Sequence, residues 1–154
     1  MGSFISSVAS AASIAADNKD VDKRSESFKS KANDYIRAAF NHDKYKLAME
    51  VPGVPDLTLP AALYGSRGVT LLNYVSGNAF NSFSGNLCKS NMTFQIITNR
   101  QPDIVINECI HLVDTDSAGF KDVKSRPYID AITSDKASNV LHWEDRGELL
   151  EIAA

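Results

Sequence analysis

The residue types and spacing with the clearest chemical potential stand at the amino end, Met1-Gly2-Ser3-Phe4-Ile5-Ser6. Removal of Met1 would free the Gly2 amine for acylation. The uncharged, proline-free positions that follow, with Ser6 in sixth place, complete the N-myristoylation pattern. One myristoyl chain gains about 0.8 kcal/mol per buried CH₂ and holds a bilayer only reversibly, so a second membrane contribution is required. Phe4, Ile5 and Val8 are the candidate inserting residues, because they fall at helical spacing within residues 1–16, a stretch without a charged side chain. Lys23, Arg24, Lys29 and Lys31 follow, with Glu26 the one acid among them, and each base near anionic headgroups would contribute about 1 kcal/mol.

His111, Asp114 and Asp116 form the other constellation, an imidazole and two carboxylates of the kinds that hold a metal or serve a small hydrolase. The loop from Thr115 to Gly119 departs from a calcium-binding loop, since Ala118 stands where an oxygen ligand belongs and no Glu closes it. Strand alternation also puts His111 and Asp114 on opposite faces. The expectation is a structural His111, with Asp114 and Asp116 capping a turn: no catalytic residue, no metal, no cofactor and no enzyme. A hydrolase or metal-binding protein using these three residues stands as an alternative. His42 and His142 accompany no nucleophile motif.

The chain has 154 residues and a net charge of −3, which gives no broad positive field for a phosphate backbone, so nucleic acid is not an expected partner. Cys88 and Cys109 show neither zinc spacing nor a disulfide framework, as in a reduced interior. No apolar run reaches the roughly 20 residues of a membrane span. Asn91-Met92-Thr93 matches a glycosylation sequon by chance, inside a strand-like run. Residues 114–154 hold nine acids against five bases, so a basic, lipid-bearing amino end would face the membrane and the acidic half would face away.

Composition changes abruptly at Asp17, and the chain divides into an Ala/Ser-rich tail, residues 1–22, and a single β-rich domain, residues 23–154. Phe28, Ala32, Tyr35, Ile36, Ala39 and Phe40 share a stripe that predicts a helix over 26–40. From Tyr45 the period becomes two, and strand-like runs are read at Tyr45–Val51, Leu57–Leu59, Val69–Val75, Met92–Thr98, Ile104–Val113, Tyr128–Thr133, Val140–Trp143 and Leu149–Ile152. Without visible βαβ alternation, this predicts a mainly β fold: an antiparallel sandwich or barrel of about eight short strands with one N-terminal helix. The function expected is that of a non-enzymatic, myristoylated, matrix-like structural protein, as in a virus. It would lie on the cytoplasmic leaflet of an anionic membrane, forming homo-oligomers or docking a protein partner. The alternative is a soluble β-sandwich subunit of a viral capsid, tail or movement assembly.

Overall fold

The computed structural model describes residues 23–51, 53–100 and 103–154. Five strands form one open sheet in the order β1-β2-β3-β4-β5. They span Tyr45–Glu50, Thr58–Gly65, Gly68–Val75, Ile106–Val113 and Asn139–His142. The first three make an antiparallel meander, while β4 runs parallel to β3 and β5 parallel to β4. Among the described residues five α-helices accompany them: α1 over residues 23–39, α2 Phe80–Arg100, α3 Ala118–Lys121, α4 Arg126–Ser134 and α5 Leu149–Ile152. The mainly β sandwich is therefore corrected to a three-layer α/β fold.

The correction has a local cause. Parallel neighbours need a crossover, and α2 supplies it between β3 and β4, with α4 doing so between β4 and β5. The run Met92–Thr98 lies inside α2, Tyr128–Thr133 inside α4 and Leu149–Ile152 is α5, so three expected strands are helical. In α2, Phe83, Leu87, Phe94 and Ile97 are buried at spacings of three, four and seven, interleaved with Ser, Asn and Thr on the same helix. Those polar residues have modest helix propensity, and burial of the apolar stripe overrides it. Pro127 sits in the first turn of α4, where the missing N–H costs no hydrogen bond.

Each face of the sheet carries its own layer. Phe28, Ala32 and Ile36 of α1 pack with Ala61, Leu63, Leu72, Ile110 and Leu112 of the strands, and with Trp143 and Leu149 beyond β5. On the other face Phe94 and Ile97 of α2 meet Leu59, Leu71 and Cys109. Phe83 and Leu87 meet Ile129 and Ile132 of α4 over Val75 and Val113. Full burial of one such side chain contributes about 1.5–3 kcal/mol. Trp143 also has Phe28 edge-on at 5.4 Å, and the Arg146 and Lys31 cations stand 4.3 and 5.0 Å from its ring.

Ser66 and Arg67 form the two-residue turn between β2 and β3, with Gly65 and Gly68 paired across it. The carboxyl end of the chain lies directly on this hairpin. Ser66 donates from its backbone N–H and its hydroxyl to the Ala154 carbonyl at 3.0 and 2.8 Å. A Cβ at Gly65 would stand 2.1 Å from the Ala153 carbonyl oxygen, so only glycine fits there.

The amino end of α1 is fixed at the opposite end of the sheet. Asp114, the residue after β4, is buried, and its Oδ2 accepts from Arg24 Nε at 2.8 Å, Arg24 Nη2 at 2.7 Å and Ser76 Oγ at 2.7 Å. The carboxylate expected to cap a turn is instead occupied by a cation 90 positions away. Arg24→Ala should lower unfolding free energy by about 2 kcal/mol, measured by chemical denaturation, because it strips a charged partner from a buried carboxylate. An unchanged midpoint would mean that Ser76 and water satisfy Asp114 alone.

Candidate functional site

Pro60 interrupts the ladder between β1 and β2. Counting along the β1–β2 register places Pro60 opposite Ala48, and this is the position where the pairing lapses. Proline has no N–H to offer the ladder. Ala48 adopts φ 50°, and β2–β3 pairing stops at Ala61 with Leu72. Beyond that point Asn73, Tyr74 and Val75 pair with β4 alone. The strands part into a cleft of about 300 Å³, with Asp56 and Thr58 on one wall and Asn73 on another. Asn86 and Lys89 of α2 and Ser25 of α1 complete its polar lining. One carboxylate, one ammonium and two carboxamides make a hydrogen-bonding surface for a small polar molecule. Among the described residues that line the cleft there is no second carboxylate to act as partner acid.

Ser90 forms part of the same wall and leads inward to His111. Its hydroxyl lies 2.6 Å from His111 Nδ1, and the Ser138 hydroxyl lies 2.9 Å from Nε2. All three side chains are buried, and Phe94 sits edge-on to the imidazole at 4.9 Å. A neutral imidazole donates through one nitrogen and accepts through the other, so two hydroxyls satisfy it fully. Burial pushes its pKa down to about 4. The arrangement resembles a nucleophile and base in spacing only, since burial weakens such a base near neutrality and the Ser90 side chain is itself buried.

The carboxyl ends of β3 and β4 hold the second cluster. Asp114 is committed to Arg24 and Ser76, and Asn86 donates to the Ser76 carbonyl at 2.8 Å. Asp116 is exposed, and Asp114 faces α1 while His111 faces α2, so the three residues read as a possible metal or hydrolase set do not converge. Among the described residues no three His, Cys, Asp or Glu side chains are placed to hold a metal. The backbone here is close-packed: Gly119 donates to the Gly77 carbonyl at 2.9 Å, and a Cβ on Gly119 would stand 2.4 Å from that of Phe83.

Gly2, Phe4, Ile5 and Val8 lie outside the described residues. Of the basic candidates, Lys23, Lys29 and Lys31 are exposed on α1, with Lys31 also over the Trp143 ring. Arg24 is turned into the body and serves Asp114. Sequence reading missed Ser90 and Ser138 as partners of His111, 21 and 27 positions away, and it missed Pro60, whose place inside a meander was the available signal. Neither the known protein families, nor curated proteins, nor solved structures give a match to this chain.

Because His111 holds a proton more weakly in the fold, near pH 4, than its ordinary value of 6.5, the unfolded chain binds more protons between those limits. Its stabilising contribution is complete above pH 6.5 and is lost as pH falls toward 4. The wild-type denaturation midpoint should fall across that window, and His111→Gln should flatten the decline. An equal slope in the variant would assign the acid sensitivity to other groups.

Proposed function

We propose that this chain is a non-enzymatic peripheral membrane protein, acylated at Gly2, whose α/β domain is tethered to an anionic leaflet by residues 1–22. The Gly2 to Ser6 pattern carries the reading. No helix among the described residues is long and apolar enough to cross a membrane, so attachment through those helices would be peripheral. Support from the domain is electrostatic: Lys23, Lys29 and Lys31 are exposed on the helix that continues directly from the tail. The commitment of the His111 imidazole to two buried hydroxyls supports a role other than catalysis.

Self-association is a second component of the reading. Tyr64 and Leu150 are 37% and 48% exposed and border a groove between the end of α1 and the carboxyl-terminal residues, an apolar surface suited to a second copy. A monomeric mass by sedimentation at high concentration removes this component without touching membrane attachment.

Co-expression with an N-myristoyltransferase should add one myristoyl mass to the chain, and Gly2→Ala should abolish both the adduct and flotation with phosphatidylserine vesicles. An unmodified mass, under conditions that acylate a control peptide, would contradict the reading.

A further inference from the structure

We infer that the turn from Lys121 to Tyr128 is a second bilayer contact, fitted to an anionic lipid surface, which orients the domain with the carboxyl ends of β3 and β4 toward the membrane. This rests on the acyl-anchor reading. Val123 is 79% exposed, the highest value among the exposed large hydrophobic side chains of the described residues, and it stands on the short 3-10 turn Val123–Ser125. Exposed Lys121, Lys124 and Arg126 surround it in sequence, followed by Tyr128, which is 42% exposed. The one acid between Phe120 and Tyr128 is Asp122, and its carboxylate turns back to accept from the Lys124 N–H at 2.9 Å. An apolar tip among three cations matches the headgroup and acyl boundary of an anionic leaflet.

The turn is rigid before it meets anything. Ser125 donates from its N–H to the Asp122 carbonyl and from its hydroxyl to the Gly119 carbonyl. Gly119 in turn donates to the Gly77 carbonyl after β3. Val123 is thus presented on a hydrogen-bonded turn, which lowers the ordering cost of binding.

Its position matches that of the start of the described part of α1. Helix α3 starts where the N–H and hydroxyl of Ser117 bond to the Asp114 carbonyl, and Arg24 binds the carboxylate of the same residue. The first described turn of α1, at Arg24, and the segment leading into the basic turn are therefore both tied to Asp114 at the carboxyl end of β4. An acyl chain supplies attachment and no orientation of the domain, so orientation falls to a surface of the domain itself.

The test measures binding of the myristoylated full chain to phosphatidylcholine vesicles with and without phosphatidylserine. Replacing Lys121 and Lys124 together by Gln should weaken binding to the mixed vesicles roughly thirtyfold, the share of two lysines near the surface. Val123→Asp should weaken it tenfold or more. Lys46→Gln with Lys136→Gln, the same charge change at exposed sites elsewhere, should alter binding less than twofold. Equal effects of the two lysine pairs, or Gly2-dependent binding indifferent to Lys121, Lys124 and Val123, would overturn the oriented contact while leaving the acyl anchor in place. Absence of binding by the acylated wild type to any vesicle would remove the anchor reading and this contact with it.

Discussion

A buried carboxylate at the end of the central strand governs the layout of the molecule. Asp114 lies where the parallel strands β3 and β4 finish, and its charge is balanced by Arg24 across the sheet edge and hydrogen-bonded by Ser76. An unpaired charge in that position would cost several kcal/mol. Satisfying it fixes the amino end of α1 against the sheet, and α1 in turn brings Phe28, Ala32 and Ile36 over one whole face. The Asp114 carbonyl meanwhile holds Ser117, which starts the turn carrying Lys121, Val123 and Lys124. One residue thus relates the start of α1 to the basic turn.

The opposite face follows from a different constraint. Pro60 interrupts the ladder between β1 and β2, β2 and β3 part beyond Ala61, and α2 closes the far side of the cleft that opens there. The His111 side chain, which points toward α2 from the middle of the core, would be a costly polar group if left unmatched. Ser90 and Ser138 meet both of its nitrogens, so the polar residues that dilute the apolar stripe of α2 have a structural use.

Where order was legible in the sequence, local periodicity was strong. The stripe Phe28 to Phe40 marked α1 to within three residues at its start, and the alternation from Tyr45 marked β1. Ile104–Val113 read as a central strand, and β4 is indeed flanked on both sides. The fold class was not legible because α2 disguises its period with Ser, Asn and Thr, and because Ile129 and Ile132 in α4 are β-branched residues favoured in strands. Once those helices were read as strands, the two crossovers vanished and an antiparallel sandwich appeared in their place. For the sites, the Gly2 pattern is contiguous and needs no fold to be seen. The partners of Asp114 and His111 lie tens of residues away in sequence and become neighbours only through the parallel sheet.

Charge is distributed more finely than the sequence halves suggest. The carboxyl-terminal part is acidic as a whole, yet three of its five bases fall between Lys121 and Arg126. Hydrogen exchange of the acylated full chain, free and bound to phosphatidylserine-containing vesicles, tests the oriented arrangement most directly. The account predicts slower exchange on binding at residues 118–128 and at the start of α1, with Tyr45–Glu50 of β1 unchanged. Protection centred on β1 or on the groove bordered by Tyr64 and Leu150, with residues 118–128 unaffected, would contradict it.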